Sequence, residues 1–393
     1  MSFSEWKTYQ LGELLEVKYG KDHKALSEGK IPAYGSGGIM RYVDKAIYDE
    51  VSILIPRKGS LNNIYYLDKP FWTVDTMFWT KVNQNLVDPK FLYYKLTTFN
   101  YSAMNVGSAV PSMTVPVLNE MEIVAPDLKT QQHIASLLSS LDDAIELNQQ
   151  INKTLEEMAK AIFKEWFVDF NFPNATGKFQ ETEIGKIPFG WKVATFEDVF
   201  DADRGLSYKG AGLAESDATP MHNLNSVLEG GGYKTIGIKY YNGDYKDKHI
   251  VNAGEVIVAN TEQGHKYMLI GYPAIVPQFY GEHGIFSHHI YRLRPKPNCY
   301  LSPDFIYHLL LQQQVRDQVV GFANGTTVNM LKIEGLKKPK FAMPPKELAE
   351  KFGTIAQANR LQAEQNIEEN QSLSNLRDTL LPKLMKGEIN INS

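Results

Sequence analysis

The chain has 393 residues, of which 43% are hydrophobic and 22% charged, the composition of a globular protein long enough for two or three domains. Its single cysteine, Cys299, excludes a disulfide framework and a cysteine-based metal cluster. There is no apolar run of membrane-spanning length and no signal-peptide pattern, so the sequence predicts a cytoplasmic protein without a membrane partner. A net charge of −4 permits nucleic-acid binding without indicating it.

The first segment of the chain is repeated later. "EWKTYQLGELLEV" from Glu5 matches "GWKVATFEDVFDA" from Gly190 at an offset of 185, so Trp6 corresponds to Trp191. Each copy is followed by short apolar runs and by Gly, Asn and Asp turns, a pattern that predicts strands. "SILIPRKGS" (52–60) and "EVIVANTEQG" (255–264) each predict a buried strand followed by a polar loop. We therefore expect two β-rich domains.

A long amphipathic helix follows the first of these domains. From Thr130 to Phe167, large apolar residues recur mostly at alternating steps of three and four, which predicts a coiled-coil seam. A helix of about 57 Å with such a seam requires a partner, and the second copy supplies one. Asn148 lies in the seam and corresponds to Asn366 in the second copy. These two asparagines either hydrogen-bond across a helix pair or lie in solvent.

The end of each copy is also repeated. "GSAVPSM" from Gly107 matches "GTTVNML" from Gly325 at an offset of 218, and the same offset places Leu155 on Leu373. The chain is thus a tandem duplication. Similar ends with divergent middles indicate one scaffold that carries two different specificities.

Three further motifs complete the pattern: "FKEWFVDFNFP" from Phe163, "IGKIPFGWK" from Ile184 and "LRDTLLPKLMKGEI" from Leu376. Together with the order of the repeated parts, they resemble the specificity subunit of type I restriction-modification systems over the whole chain. The resemblance implies an α+β fold: two β-rich target recognition domains separated by a pair of long antiparallel coiled-coil helices, with an internal pseudo-twofold repeat.

The expected boundaries follow from the motifs and the repeat. They are recognition domain 1 (1–128), spacer helix 1 (129–168), a linker (169–190), recognition domain 2 (191–345), spacer helix 2 (346–388) and a short tail (389–393).

The resemblance also implies a role and partners. Such a chain binds double-stranded DNA, recognises a bipartite target and assembles with methyltransferase subunits, expected to number two, and with restriction subunits. These partners carry out adenine methylation and restriction, so S-adenosylmethionine, ATP and Mg²⁺ belong to them, and no cofactor is expected in this chain.

The motifs of an enzyme are missing from the sequence. The one Pro-Pro pair, in "MPPK" from Met343, lacks the flanks of an adenine-methyltransferase tetrapeptide, and there is no phosphate-binding GxxxxGK[ST] loop. "GSGG" at 35–38 lacks the spacing of a dinucleotide-binding loop. The histidines of "SHH" (287–289) would point to opposite faces of a strand, which argues against a metal site. The sequence predicts a non-catalytic protein.

Small residues beside hydrogen-bond donors indicate loops in which the backbone approaches phosphate while Arg, Lys, Asn or Gln reaches a base edge. The alternative for each residue is a solvated turn. The predicted DNA-binding residues of the first copy are Lys21, Lys24, Tyr34, Gly35, Ser36, Gly37, Arg57, Lys58, Ser60, Ser108 and Ser112. Those of the second copy are Arg204, Lys209, Asn260, Thr261, Gln263, His265, Lys266, His288, Thr326 and Thr327.

Bulky residues at the helix ends predict contacts with partner subunits. They are Phe163, Trp166, Phe167, Leu380 and Leu384. The alternative for the aromatic group is packing against the neighbouring recognition domain.

Two other classes of function remain open at this point. One is a stand-alone DNA methyltransferase or nuclease with degenerate motifs, and the other is a coiled-coil scaffold without DNA specificity. Methyl transfer by the purified chain would favour the first, and an assembled complex without sequence preference would favour the second.

Overall fold

The computed structural model describes residues 6–104, 112–264, 266–325 and 327–389. The chain divides into two compact units, one formed by Met1–Leu147 with Glu369–Ser393 and the other by Asn148–Glu368. Both contain helices and strands, as predicted. Among the described residues, no helix has the length and apolar character needed to cross a membrane.

The first unit contains a β-rich domain, the first β domain, followed by a long helix. Its elements are β1 (Lys7–Gln10), α1 (Leu11–Leu14), β2 (Leu15–Tyr19), β3 (Glu28–Gly35), β4 (Gly38–Val43), β5 (Ser52–Pro56), β6 (Tyr65–Leu67), β7 (Trp72–Thr73), β8 (Met77–Val82), α2 (Pro89–Thr97), α3 (Val115–Asn119), β9 (Glu122–Ala125) and α4 (Leu128–Phe163). The strands form sheets in the orders β2-β8-β5-β6, β4-β3-β7 and β1-β9.

The second unit begins within α4, which ends in a π-helical turn, Lys164–Val168. Its further elements are β10 (Phe179–Thr182), β11 (Gly185–Pro188), β12 (Lys192–Thr195), α5 (Phe196–Val199), β13 (Phe200–Arg204), β14 (Leu213–Ala214), β15 (Thr219–His222), β16 (Lys239–Tyr241), β17 (Ile250–Asn252), β18 (Val256–Ala259), β19 (Thr261–Gln263), β20 (Pro273–Ile275), β21 (His283–Phe286), β22 (Ile290–Pro295), α6 (Pro303–Leu310), α7 (Gln313–Val320), β23 (Ala323–Asn324), β24 (Val328–Leu331), β25 (Lys340–Met343) and α8 (Lys346–Met385).

The strands from β12 to β25 form the second β domain, and its topology repeats that of the first. The sheet β13-β22-β18-β20 corresponds to β2-β8-β5-β6, and the pair β12-β25 corresponds to β1-β9. The parallel pair β15-β21, flanked by β16, corresponds to β3-β7 flanked by β4. The duplication therefore extends through the middle of each copy, where the sequences diverge.

Each β domain begins with the same local device. A side chain at the strand end, Gln10 or Thr195, forms a capping box with Glu13 or Asp198 and starts a one-turn helix. The two boxes are related by the repeat offset of 185, so the helix start keeps its position in both copies while its chemistry changes.

Hydrogen bonds join the two long helices within each unit. In the second unit, Asn366 Nδ2 donates to Asn152 Oδ1 at 2.7 Å, and Asn359 Nδ2 donates to the carbonyl of Leu155 at 3.1 Å. Residue numbers fall along α8 as they rise along α4, so the helices run antiparallel there. In the first unit, Arg377 of α8 pairs with Asp142 of α4.

One of the two predicted asparagines, Asn366, bonds across the helix pair, but with a partner other than the predicted one. Asn366 is buried and bonds across the pair, and its partner in this bond is Asn152 rather than Asn148. The seam therefore carries a polar contact one helical turn away from the position that the repeat indicated.

The aromatic end of α4 is part of a core, which corrects the prediction that it binds a partner subunit. Phe163 is 1% exposed and its ring lies 5.1 Å from that of Phe305 and 5.2 Å from that of Phe352. Phe167 packs against the same two rings and is also buried.

The same correction applies to Leu384, which is fully buried in the core of the first unit. Trp166 and Leu380 are half-buried beside these cores. The alternative, packing against the neighbouring β domain, is therefore the correct one for Phe163 and Phe167.

Candidate nucleic-acid interface

Predicted loops of the first β domain meet at one end of its sheets, in what we call the first loop cluster (residues 19–21, 34–38, 57–60, 73–76 and 112). The backbone N–H groups of Arg57 and Lys58 both donate to the carbonyl of Thr76. The Arg57 guanidinium donates to the carbonyl of Asp75 at 3.1 Å and lies 5.3 Å from the ring centroid of Tyr19. This bond uses one of the several N–H donors of the guanidinium and holds the group beside an exposed aromatic ring.

The β3–β4 turn belongs to the same cluster. The backbone N–H of Ser36 donates to Thr76 Oγ1 at 3.4 Å, and Asn63 Nδ2 donates to the carbonyl of Ser36 at 2.8 Å. The rings of Tyr34 and Tyr65 lie 5.5 Å apart beside this turn. These contacts fix loops that are far apart in sequence.

Two further loops reach this cluster. Lys21 donates its backbone N–H to the carbonyl of Thr73. The backbones of Lys58 and Ser112 form an isolated antiparallel β-bridge. The cluster therefore brings together the predicted residues Lys21, Tyr34, Gly35, Ser36, Gly37, Arg57, Lys58, Ser60 and Ser112. Lys24 lies in the next turn, where Asp22 accepts its backbone N–H. Ser108 lies outside the described residues.

A second loop cluster (residues 204–209, 239, 260–264, 286–289 and 327–331) forms in the second β domain. Its geometry corrects the roles of Asn260 and Thr261, which are 1% and 3% exposed. Asn260 Nδ2 donates to the carbonyl of His288, and Thr261 Oγ1 lies 3.2 Å from Nδ1 of His289. Because both side chains are buried and bonded within the domain, they hold the histidine turn and are not available to contact DNA.

The exposed edge of this second cluster is basic and aromatic. Lys239 Nζ donates to the Tyr208 hydroxyl at 2.9 Å, and the Tyr208 ring lies 6.3 Å from that of His288. Burial, followed by the nearby charges of His288, Arg204 and Lys239, lowers the pKa of His289. Arg204 and Lys239 bring positive charge to this edge, which favours phosphate.

His288 and His289 lie in a turn and not on a strand, so the expectation of opposite faces is wrong: their ring centroids are 3.9 Å apart. Among the described residues, no group of three or more His, Cys, Asp or Glu side chains could hold a metal ion. Sequence reasoning missed Tyr208, Lys239 and His289, because only the folded sheet brings them beside Arg204.

Four other predicted residues of the second copy are exposed in or next to this cluster. The carbonyl of Thr327 accepts the backbone N–H of Gly264, and Gln263 pairs with Val328 in the β19–β24 ladder. The exposed residues are Lys209, Gln263, Lys266 and Thr327. His265 and Thr326 lie outside the described residues.

Arg57 and Asn260 occupy the same backbone position in the two clusters. The carbonyl of Arg57 accepts the backbone N–H of Met113 at 2.9 Å, and that of Asn260 accepts the N–H of Leu331 at 2.8 Å. Met113 and Leu331 are themselves equivalent, because the repeat offset of 218 carries one onto the other. At this position the first domain presents a guanidinium at its surface, whereas the second buries an amide.

A similar exchange occurs at the end of the first strand of each four-stranded sheet. Tyr19 ends β2 and Arg204 ends β13, and the offset of the Trp-containing starts carries one onto the other. One backbone frame therefore carries different side chains at its exposed end in the two domains.

Each frame depends on a glycine with no space for a side chain. A Cβ atom on Gly20 would lie 2.0 Å from the carbonyl oxygen of Val74, and one on Gly205 would lie 2.3 Å from that of Ser287. These glycines follow Tyr19 and Arg204, so they set how closely the exposed strand ends approach the neighbouring loop.

Gly205→Ala is expected to destabilise the second unit by roughly 1 to 3 kcal/mol, because the obstructing atom is backbone and the loop must move. Gly210→Ala is the matched control, since a Cβ there meets nothing within 4 Å. Thermal unfolding and sequence-specific DNA binding would be measured for both variants. Equal behaviour of the two would show that the close approach at Gly205 has no role.

Comparison with known proteins shows the same two-part division of the chain. The family described as "Type I restriction modification DNA specificity domain" matches residues 3–157 and 188–368. The chain is similar to the type I restriction enzyme MjaIX specificity subunit of Methanocaldococcus jannaschii, with 26% identity over 88% of this chain and 79% of that protein. It is also similar to the HindI specificity subunit of Haemophilus influenzae, with 25% identity over 98% and 100% of the two chains.

The fold has a solved counterpart. The type I restriction-modification S subunit from M. genitalium superposes with a TM-score of 0.67 at 18% identity, covering 97% of this chain and 96% of that one. The two matched segments define a protein with a repeated DNA specificity domain. The chain belongs to the family of type I restriction-modification specificity subunits.

Proposed function

We propose that this chain recognises a bipartite double-stranded DNA target, with each β domain binding one block through its loop cluster. The observation that carries this proposal is the shared backbone frame in which Arg57 and Tyr19 are replaced by Asn260 and Arg204. Equal frames suit the same kind of ligand, and a different set of exposed side chains on each frame suits different base edges, since Arg57 and Tyr19 reach the surface in the first domain whereas Arg204 does so in the second, where Asn260 is buried. The proposed domain limits are those expected from the repeat, 1–128 and 191–345.

The long helices complete the proposal. α4 and α8 act as an antiparallel coiled-coil spacer that holds the two recognition domains at a fixed separation, supported by the bonds of Asn366 and Arg377. Two methyltransferase subunits, and restriction subunits where present, assemble on the chain and modify or cleave the DNA. S-adenosylmethionine, ATP and Mg²⁺ are assigned to those partners.

Arg57 and Lys58 provide the test, because adjacent cations are expected to make different contacts. Arg57→Ala should cost roughly 1 to 3 kcal/mol at one base position and relax discrimination there, since a fixed guanidinium can bind guanine in two places. Lys58→Ala should weaken binding to all sequences about equally, as loss of a phosphate contact does. Binding of the assembled methyltransferase complex to a series of single-base target variants distinguishes the two.

Lys81→Ala is the control for the loss of one positive charge. Lys81 lies opposite Glu16 in the β2–β8 strand pair, further along β8 and away from the loop cluster. It should leave affinity and discrimination nearly unchanged. If Arg57→Ala and Lys58→Ala had the same effect as this control, the first loop cluster would not be the DNA-binding surface.

A further inference from the structure

An edge strand of the first β domain carries apolar side chains in contact with solvent. Strand β4 (Gly38–Val43) lies at the edge of the sheet β4-β3-β7 and directly follows residues 34–38 of the first loop cluster. Three of its residues, Ile39, Met40 and Tyr42, are at least 50% exposed. Single exposed apolar residues are common, but three on one short strand form a patch, and a patch on the rim of a binding surface indicates a ligand with an apolar group.

A β-bulge separates Met40 from the other residues of this strand. Ala33 lies opposite Arg41, and the next residue of β3, Tyr34, lies opposite Ile39, so the register shift leaves Met40 between the two pairs. A bulge of this kind changes the direction of a side chain and is common beside functional sites. The backbone geometry therefore gives Met40 a direction of its own, with 57% of its surface exposed.

The side chain of Met40 lies next to the loop that carries Arg57. A Cβ atom on Gly35 would lie 2.7 Å from Sδ of Met40 and 3.5 Å from Oγ1 of Thr76, so the thioether occupies the space above Gly35, on the side of Thr76. The carbonyl of Thr76 accepts the backbone N–H groups of both Arg57 and Lys58. An apolar side chain and the guanidinium that is proposed to bind guanine are thus held by the same residue.

The chemistry of the base edges identifies the apolar group that Met40 could meet. In the major groove, the base pairs present hydrogen-bond donors and acceptors and one apolar group, the C5 methyl of thymine. A methionine side chain is unbranched and polarizable, so it adapts well to a small apolar group. Its backbone is fixed, since the adjacent turn is held by the bonds of Ser36 to Thr76 and Asn63.

We infer that Met40 contacts the C5 methyl group of a thymine in the first target block, at a base pair next to the one that Arg57 binds. This contact rests on the proposed function and adds a second, apolar readout to the first loop cluster. The second β domain differs here. Its strands β15 and β16 are joined by residues 223–238 instead of a two-residue turn, and β16 begins with Lys239, which donates to Tyr208.

Uracil in place of thymine tests the contact, because uracil lacks the methyl group and keeps the hydrogen-bonding atoms. Binding of the assembled methyltransferase complex is measured on its mapped target, with each thymine of either block replaced in turn. One uracil in the first block, next to the base pair at which Arg57→Ala relaxes discrimination, should weaken binding roughly fourfold, the effect of one buried methyl group. Met40→Ala should remove this dependence, so that the variant binds the thymine and uracil targets equally.

Two variants and the second block provide the controls. Met158→Ala changes a similarly exposed methionine of α4, outside both loop clusters, and should keep the full effect of uracil. Met40→Leu retains an apolar side chain and should keep most of it. Uracils in the second block should have the same effect on the native chain and on Met40→Ala.

Three results would overturn the contact with thymine. They are a first block without thymine at a base pair next to that of Arg57, a native complex that does not distinguish uracil there, and a uracil effect that persists in Met40→Ala. Arg57→Ala would still relax discrimination at its own position in all three cases. A complex without any sequence preference would instead contradict the proposed function itself, so the two failures are distinguishable.

Discussion

Replacing residues 192–343 with the corresponding segment of another family member is expected to change one block of the DNA target and to leave the other block unchanged. Every residue of the second loop cluster lies within this segment. Its ends also meet in space, because β12 (Lys192–Thr195) pairs with β25 (Lys340–Met343) along their whole length. The domain can therefore be exchanged as a unit, with both junctions at one place.

The structure sets the exchange points. Trp191 is 5% exposed and packs against Phe167 and Phe172, so the native residue should stay with its aromatic neighbours. The incoming domain should also carry an acidic residue in place of Asp304, if the pairing with Arg360 is to be retained. Mapping methylated adenines in DNA modified by the chimeric complex gives the outcome. A folded, assembled chimera that altered both blocks together would refute the independence of the two domains.

The repeat was predictable because its anchors are local. The Trp-containing starts and the proline-initiated helices depend on short-range patterns, and the structure confirms strands and helices at these places. The burial of Asn260 where Arg57 reaches the surface was not predictable, because both residues directly follow an apolar run and only tertiary contacts distinguish them.

Burial explains the residues that were assigned wrongly. Asn and Thr side chains can contact bases, but they can also hydrogen-bond within the protein to hold a turn. Only the tertiary contacts show that Asn260 and Thr261 hold a turn. The same ambiguity applies to Phe163 and Phe167, since aromatic clusters form both interfaces and cores. A composition-based assignment cannot separate these roles, whereas exposure in the folded chain does.

Adding four residues to α4 after Leu147 and four to α8 after Glu368 is expected to lengthen the gap between the two target blocks without changing either block. These points fall at the limits of the two compact units, so they leave the contacts of Asp142 and Arg360 intact. An insertion after Leu155 would disturb the helix pair itself, because the carbonyl of Leu155 accepts a hydrogen bond from Asn359 of α8.

Four residues add about 6 Å to each helix, close to two base-pair steps of roughly 3.4 Å. Four is also near one helical turn, so the apolar seam stays nearly in register, whereas two residues would rotate it by about 200° and should disrupt the helix pair. The two-residue insertions lengthen the helices but do not keep the seam in register, so they are the control that separates the effect of length from that of register. The methylation pattern of the four-residue variant is the measurement: unchanged blocks with a longer gap support a helical spacer. An unchanged gap in a stable, active complex would mean that the spacing is set by something other than α4 and α8.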